Sequence, residues 1–383
     1  MQRYYFDHNA TTPVSKAVLD TLLPALAEVY GNASSIHYQG QLAKQRLEMA
    51  RRQVAALIGC DAREIVFVSG GTEANNLAIF GTVQRGQHVI TSSIEHPAVL
   101  NPCAELERAG IAVTRVAVGR DGVVDPEDIG RALRPNTVLV SIMHANTETG
   151  ALQPIAEIAR LARAAGVTFH VDGVQAVGKI PDVRALGVDL YSISGHKLYA
   201  PKGIGALYVK KGAKLRPLLF GGRHERELRA GTENVPGAMA LGRAAQAASE
   251  ALNSELPRLT ALRDRLESEL LARVVDAGVN CGHAPRLPNT SNLYFDGIEG
   301  EAMVISLDLK GFAVSSGSAC SSGAVEPSHV LLGMGLAPDR ARSSLRFSLG
   351  ASNTTEQVDA LIEAVAESAS RLRELSPTYS AHA

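Results

Sequence analysis

The chain has 383 residues, more than a single hydrophobic core usually supports, so we expect a large and a small domain. Hydrophobic residues make up 45% of the chain and charged residues 20%, as in globular proteins with a large core. The 38 basic and 39 acidic residues nearly cancel, which excludes a broad cationic face for nucleic acid or anionic lipid.

The first half of the chain predicts an α/β fold. Residues 1–14 are expected to be extended, and helices follow at about 15–30 and 38–58. Helices are also predicted from Thr72, after Pro97 and from Pro154. The helices alternate with apolar runs at 64–68, 88–92, 112–118, 137–142, 167–171, 189–193 and 204–209. Continuous apolar runs of this length are typical of a mostly parallel sheet covered by helices on both faces.

The second half of the chain predicts a smaller α+β domain. Residues 235–275 form a helical stretch that is placed to bridge two domains. Short strands at Ser291–Phe295 and Ser344–Ser348 follow, and a last helix begins near Asn353 with Glu356 placed to help cap it. We therefore predict a large domain of residues 15–255 and a small domain of residues 1–14 plus 256–383.

The sequence also predicts where the protein works. It has no apolar run that would cross a bilayer and no signal peptide, so neither a membrane partner nor secretion is expected. The four cysteines are far apart and form no CxxC pair, which favours free thiols in a reducing cytoplasm over disulfides or a zinc site. They are Cys60, Cys103, Cys281 and Cys320.

Polar residues of unusual type follow the predicted strands at the points where these strands end. In an open α/β sheet, ligands bind at the carboxyl edge, so these residues are expected to form one site. The residues are Gly71, Thr72, His96, Asn146, Asp172, Gln175, Ser194, His196 and Lys197.

Lys197 leaves a buried strand through the Ser-Gly-His-Lys corner at 194–197. Desolvation disfavours the ammonium form of a lysine there and makes imine chemistry accessible. Ser194 and His196 flank it with groups that bind anions. An ordinary surface lysine in a loop is the alternative.

Three other features of this edge suit a phosphorylated aromatic ligand. Gly71 and Thr72 open a helix directly after a strand, where free N–H groups and the helix dipole favour a phosphate. Asp172 is placed to hold a protonated ring nitrogen, and His96 to stack on a flat ring. A tight turn, a helix cap and a structural histidine are the respective alternatives.

Taken together, these residues predict a pyridoxal phosphate site. Asp172 would keep the pyridine protonated, so that the ring withdraws electrons from the α-carbon of a substrate. Lys197 would hold the cofactor as an imine and then act as base and acid once substrate displaces it.

The segment SSGSACSSG at 315–323 places Cys320 among serines and glycines that cannot anchor a core. A loop of this composition is expected to be exposed, and the context favours a reactive thiol over an incidental cysteine. A sulfur nucleophile beside a carbanion-forming cofactor predicts sulfur transfer from a thiol amino acid, with a persulfide on Cys320. Arg346 is placed to bind the substrate carboxylate, or is an ordinary strand-edge arginine.

With these motifs the sequence resembles the cysteine desulfurases of the NifS/IscS kind, in the class V aminotransferase group of fold-type I pyridoxal phosphate enzymes. The resemblance covers nearly the whole chain, and the joint occurrence of SGHK and SSGSAC is specific. The matching segments are 6–12, 31–37, 69–76, 95–99, 170–179, 194–197, 221–234, 315–323, 326–330 and 345–350.

The resemblance implies a role for each matching residue. Lys197 would bind the cofactor covalently, and Asp172 would pair with the pyridine nitrogen. His96 would stack on the ring and assist proton transfer, and Gln175 would hydrogen-bond the phenolic oxygen. The phosphate would be bound by Gly71, Thr72, Ser194 and His196.

The resemblance also implies partners. Thr232 would reach the phosphate of the partner subunit, so a homodimer with shared sites is expected. Arg346 would bind the carboxylate of L-cysteine, and Cys320 would take its sulfur and pass it to a scaffold or carrier protein. Some members dock an iron–sulfur scaffold with a longer C-terminal tail, which this chain is expected to lack in part.

One position departs from the family pattern. The family has two adjacent asparagines before Glu-x-Gly, whereas this chain has Asn146 followed by Thr147. Either the hydroxyl of Thr147 or the amide of Asn146 is expected to make the contact with cofactor or substrate.

Alternatives stay open at this stage. A selenocysteine lyase or an aminotransferase would use the same fold, and a non-catalytic scaffold would keep it without the chemistry. The sequence does not select among nitrogenase maturation, general iron–sulfur assembly and tRNA thiolation.

Overall fold

A seven-stranded sheet forms the centre of the fold in the computed structural model, which describes residues 2–180, 184–316 and 326–375. Across the sheet the strands lie in the order β2-β8-β7-β6-β5-β3-β4, and β8 alone runs antiparallel to its neighbours. The strands are β2 (Ile65–Val68), β3 (His88–Ser92), β4 (Ala112–Val116), β5 (Thr137–Met143), β6 (Thr168–Asp172), β7 (Leu190–Ser194) and β8 (Gly205–Val209). This architecture confirms the predicted mostly parallel α/β sheet.

Helices cover both faces of this sheet. Along β2 the side chains alternate between the faces, so Ile65 and Phe67 join one core while Val66 and Val68 join the other. The helices of this part are α1 (Lys16–Glu28), α2 (Tyr38–Ile58), α3 (Gly71–Thr82), α4 (Pro97–Arg108), α5 (Pro126–Ala132), α6 (Ile155–Ala164) and α7 (Val235–Arg273). The sequence did not single out α5 as a helix.

The remaining elements form a smaller α+β unit. Strands β9 (Ala277–Val279), β10 (Thr290–Phe295) and β12 (Ser344–Ser348) make an antiparallel sheet, and β1 (Tyr4–Tyr5) pairs with β11 (Phe312–Ala313). The helices are α8 (Gly300–Leu309), α9 (His329–Gly333), α10 (Pro338–Arg342) and α11 (Thr355–Leu375). Thr354, rather than Glu356 alone, contributes to the cap of α11, because its Oγ1 accepts from the amide of Gln357.

The 39-residue helix α7 connects two separate hydrophobic cores. Its first half contributes Leu241 and Ala245 to the core under the large sheet. Its second half contributes Leu266 and Leu270 to the core of the small unit, which also contains Phe6. These two cores support the predicted boundary near residue 255, and we propose the same division into domains.

Candidate active site

The carboxyl ends of β2, β3, β5, β6 and β7 surround a cavity of about 240 Å³. Nine of the residues predicted from the sequence line this one cavity. They are Gly71, Thr72, His96, Thr147, Asp172, Gln175, Ser194, His196 and Lys197. The shared edge of the sheet brings them together, because residues 71 and 197 are far apart in the chain but follow strands of the same sheet.

Lys197 ends a single 3-10 turn, Gly195–Lys197, that follows β7 directly. Its Nζ donates to the carbonyl oxygen of Asn9 and, at 2.8 Å, to that of Ala10. Burial, followed by the charge of Arg346, lowers the pKa of Lys197 to about 8, although Asp7 and Asp172 oppose the shift. The amine therefore carries a substantial neutral fraction near neutral pH, as imine formation requires.

The N-terminus of α3 forms the anion-binding end of the cavity. Among the described residues, no side chain caps this helix, and its N-cap is Gly70. A Cβ atom on Gly71 would lie 2.7 Å from Cγ2 of Val174, so only glycine lets the helix start this close to the opposite wall. The amides of the first turn are thus left for a ligand, with the hydroxyls of Thr72 and Ser194 beside them.

His196 belongs to the same end of the cavity. Its Nδ1 lies 3.1 Å from Oγ1 of Thr11. Burial, followed by the charges of Lys197 and Lys202, lowers the pKa of His196 to about 4. The imidazole is therefore neutral at pH 7 and offers one N–H group for hydrogen bonding.

Asp172 ends β6 and is buried. Its Oδ1 accepts from the amide of Val174 at 3.0 Å, and its Oδ2 accepts from Nδ2 of Asn75 at 2.7 Å. Asn75 lies one turn into α3 and lines the cavity. Asn75 lies in the segment 69–76 but was not predicted, because the sequence alone does not indicate which residue of that helix faces Asp172.

The structure separates the roles of Asn146 and Thr147. Asn146 is fully buried, and its Oδ1 accepts from the amides of Glu148 and Thr149, which holds the loop after β5. Asn146 does not line the cavity, whereas Thr147 does. Nε2 of Gln175 donates to Oγ1 of Thr147 at 2.8 Å. The hydroxyl of Thr147 thus orients Gln175, and the amide of Asn146 shapes the loop behind it.

His96 is the N-cap of α4, and its Nδ1 accepts from the amide of Ala98 at 3.0 Å. The ring of His96 also lines the cavity. Partial burial lowers the pKa of His96, the charges of Lys197 and His329 lower it further, and Asp172 opposes them. The ring is therefore neutral, and because Nδ1 accepts from Ala98, its Nε2 carries the proton.

Arg346 lines a second cavity of about 480 Å³ that adjoins the first and shares Lys197, His96 and Thr147 with it. Nη2 of Arg346 donates to Asp7 at 2.6 Å and Nη1 to the carbonyl oxygen of Thr147 at 3.3 Å. Its Nε is buried without a hydrogen-bond partner among the described residues. The guanidinium therefore keeps donor capacity for a carboxylate.

Cys320 lies outside the described residues. Ser315, before Cys320 in the chain, and Glu326, after it, line the second cavity together with Lys197. Ser315 and Arg346 exchange backbone hydrogen bonds, which fixes that side of the segment to β12.

Two buried carboxyl groups in the wall of the second cavity were not predicted from the sequence. Burial raises the pKa of Glu95 to about 8, and it also raises the pKa of Glu148. Oε2 of Glu148 accepts from Oγ of Ser328 at 2.5 Å, and Ser328 caps α9. These contacts bind the loop after β5 to the start of α9.

Thr232 is exposed and lies outside both cavities. It belongs to the segment 221–234, which runs between β8 and α7. Thr232 therefore contributes to neither cavity of this chain.

The first cavity fits pyridoxal phosphate. The uncapped start of α3 with its glycine cradle suits the phosphate, and the carboxylate of Asp172 suits a protonated ring nitrogen. Oε1 of Gln175 is buried without a hydrogen-bond partner among the described residues, so the cavity contains a polar atom that a ligand would satisfy. Lys197 completes the set with a half-buried amine.

Comparison with known proteins agrees with this site. The model of the family described as Aminotransferase class-V matches residues 4–361. A cysteine desulfurase of Nostoc sp. is 50% identical over 382 residues, which cover 98% of this chain and 95% of that protein. A cysteine desulfurase IscS of Dictyoglomus turgidum is 46% identical over 378 residues, covering 97% of this chain and 96% of that protein.

Solved structures show the same likeness. A structure described as a NifS-like protein superimposes with a TM-score of 0.90 at 37% sequence identity, covering 97% of this chain and all of the other. Family model, relatives and structure each span nearly the whole chain, so the resemblance seen in the sequence is confirmed. The chain therefore belongs to the class V aminotransferases and, within them, to the pyridoxal-phosphate-dependent cysteine desulfurases.

Proposed function

We propose that this cysteine desulfurase takes the sulfur atom of L-cysteine onto Cys320 as a persulfide and releases L-alanine. The observation that carries the proposal is the position of Lys197, which lines both cavities. One cavity fits the cofactor, and the other presents Arg346 together with Ser315 and Glu326, which precede and follow Cys320 in the chain. An amine, a carboxylate-binding group and the attachment points of a thiol segment thus meet at one place.

Bound pyridoxal phosphate supplies a ring that withdraws electrons from the α-carbon of the substrate. Asp172 holds the ring nitrogen protonated, and Asn75 keeps that carboxylate in place. Gly71, Thr72, Ser194 and His196 hold the phosphate. These residues fix the ring relative to Nζ of Lys197.

The remaining residues bind the substrate and move protons. Arg346 binds the substrate carboxylate through N–H groups that do not donate to Asp7. Lys197, with its lowered pKa, takes the proton from the α-carbon and returns it, and His96 assists the proton transfer.

The thiol of Cys320 receives the sulfur in a balanced reaction. The bond between Cβ and sulfur in L-cysteine breaks, and a sulfur–sulfur bond to Cys320 forms. Two thiols therefore become one alanine and one persulfide, with no external oxidant. A carrier or scaffold protein then accepts the terminal sulfur for iron–sulfur assembly or another pathway.

The proposal includes a homodimer in the cytoplasm in which Thr232 reaches the partner's phosphate. Thr232 is exposed and absent from the cavities of its own chain, which supports a role in another subunit. Large apolar side chains also face solvent, as a dimer surface requires: Ile36 is 94% and Phe220 87% exposed. No helix in the described part of the chain is both long and apolar enough to cross a membrane.

A cysteine substitution tests the sulfur transfer. In Cys320→Ala, release of alanine and sulfide from L-cysteine should be lost, because no thiol accepts the sulfur, while the visible absorbance of the bound cofactor stays intact. Cys60→Ala is the matched control, and its turnover should equal that of the original protein. Unchanged turnover in Cys320→Ala would reject the role of this thiol and favour another reaction, such as transamination, which needs no thiol.

A further inference from the structure

Three consecutive residues of the segment that carries Thr232 have a left-handed backbone. Their φ angles are 45° at Glu225, 57° at Arg226 and 67° at Glu227. None is glycine, and left-handed residues with a Cβ atom are unfavourable and usually occur singly. Such a run persists only where surrounding contacts over-determine it.

A buried ion pair provides the first of these contacts. Nη1 and Nη2 of Arg51 donate to the two carboxylate oxygens of Glu225 at 2.7 and 2.8 Å, in bidentate geometry. The side chains are only 4% and 3% exposed. Arg51 also lies over the ring of Phe67, 4.8 Å from its centroid. Two charges removed from water in this way hold each other in one orientation.

The pair is attached to the open edge of the large sheet. Strand β2 is an outer strand, so one side of its backbone has no neighbouring strand. Its groups on that side are satisfied by this cluster: the amide of Phe67 donates to Glu225 at 2.9 Å, and the carbonyl of Ile65 accepts from Arg51 at 2.8 Å and from Arg226 at 2.6 Å. The left-handed turn therefore places two successive side chains on the sheet edge.

Further contacts fix the part of the segment that lies nearer to Thr232. Nε of Arg229 donates to Oε1 of Glu73 at 2.9 Å, and Oε2 of Glu73 accepts from the amide of Ser69, just before α3. The amide of Gly231 donates to Nδ1 of His224 at 3.2 Å and closes the segment on itself. The exposed Thr232 is thus presented from a rigid base that is joined to the sheet and to the phosphate-binding helix of its own subunit.

We propose that Glu225, held by Arg51, is a positioning residue that fixes the segment 221–234 so that Thr232 reaches the cofactor phosphate of the partner subunit. The inference rests on the shared site of the proposed function and adds the element that aims the shared residue. Glu225 therefore acts on the cofactor site of the other subunit and not on the site of its own chain.

Mixed dimers test this placement. One subunit carries Lys197→Ala, which removes covalent attachment, so only the other subunit can show the visible absorbance of attached cofactor. Glu225→Gln is then introduced either into the Lys197→Ala subunit or into the subunit with the intact lysine. The readout is the cofactor concentration needed to restore half of that absorbance in cofactor-free dimers.

We expect an effect only in the first arrangement, in which Glu225→Gln is in the Lys197→Ala subunit. There the affinity for cofactor should fall roughly tenfold to a hundredfold, the range for losing one hydrogen bond to a charged group. In the second arrangement the affinity should stay unchanged. Glu227→Gln is the matched control, because Glu227 is a left-handed neighbour whose side chain is 67% exposed, and it should have no effect in either arrangement.

Other outcomes distinguish the positioning role of Glu225 from the shared site on which it rests. Equal losses in both arrangements, or a mixed dimer that no longer forms, would show a merely structural role for Glu225 and overturn the inference. A loss with Thr232→Ala in the Lys197→Ala subunit, but none with Glu225→Gln there, would overturn the inference and leave the shared site standing. No loss with Thr232→Ala in that subunit would overturn both. Glu225→Asp, which keeps the charge and shortens the reach, should give a smaller loss in the first arrangement alone.

Discussion

At the scale of single residues, the protonation of Lys197 is set by groups that come from distant parts of the chain. Burial is the largest cause of its lowered pKa, and Arg346 adds to it from β12. Asp7 and Asp172 oppose the shift, and the ion pair between Asp7 and Arg346 moderates both influences. The resulting pKa of about 8 lies well below the ordinary value of 10.5.

This lowered pKa predicts how attachment of the cofactor depends on pH. Only the neutral amine attacks an aldehyde, so the rate of attachment to cofactor-free protein should rise with pH and level off above about 8. A lysine with its ordinary pKa would give a rate that keeps rising towards pH 10.5. The initial rate of the visible absorbance change at a series of pH values measures this dependence.

The variant Arg346→Gln tests whether the charge of Arg346 helps to lower the pKa of Lys197. Loss of the positive charge, with Asp7 then left uncompensated, should raise the pKa of Lys197 and move the plateau to higher pH. A plateau that stays in place would contradict the assigned cause.

Single residues also mark the limits of prediction from sequence. Lys197, Asp172 and Gln175 were predictable because each follows an apolar run whose end is visible in the sequence. Asn75 was not, since its contact with Asp172 spans 97 positions and depends on how α3 packs against β6. The division of labour between Asn146 and Thr147 needed coordinates, because both residues stand at the same strand end.

At the scale of elements, close packing of α2 against α7 supports the Thr232 segment from both sides. Helix α7 begins three residues after Thr232, and α2 carries Arg51. At the helix contact a Cβ atom on Gly242 would lie 2.7 Å from Cα of Ala50, the neighbour of Arg51. Glycine is therefore required here for the approach of two backbones, although it weakens an isolated helix.

Gly242→Ala should lower the stability of the protein. Alanine gains about 1 kcal/mol of helix propensity, but forcing a methyl group into close-packed backbone costs about 1–3 kcal/mol. We expect a lower midpoint of urea unfolding together with weaker cofactor retention, since Ala50 and Arg51 would shift. Ser249→Ala, at an exposed position of α7, is the control and should raise the midpoint slightly. A higher midpoint for Gly242→Ala would show that propensity outweighs packing.

Elements were predictable where their periodicity is strong. The strand at 88–92, the helix at 38–58 and the long helix after residue 235 appear as the sequence indicated, because each is long or uniformly apolar. The left-handed turn at Glu225 was not predictable, since three charged residues carry no turn signal and the stabilising Arg51 lies 174 positions away.

At the scale of the whole molecule, the large sheet, the small unit and the N-terminal segment all contribute residues to the site. The large sheet provides the cofactor cavity, β12 provides Arg346, and the N-terminal segment provides the carbonyl oxygens that hold Lys197. Helix α7 links the two cores on which these parts rest. The central claim is that this assembly brings Lys197 and the thiol of Cys320 to the same substrate molecule.

Direct detection of the transferred sulfur tests this claim. The protein is incubated with L-cysteine without any acceptor or reductant, digested without reduction, and analysed by mass spectrometry. We expect one additional sulfur atom on Cys320, none on Cys60, and none on any cysteine in Lys197→Ala. An unmodified Cys320 in protein that still forms alanine, or extra sulfur on Cys320 in Lys197→Ala, would contradict the claim.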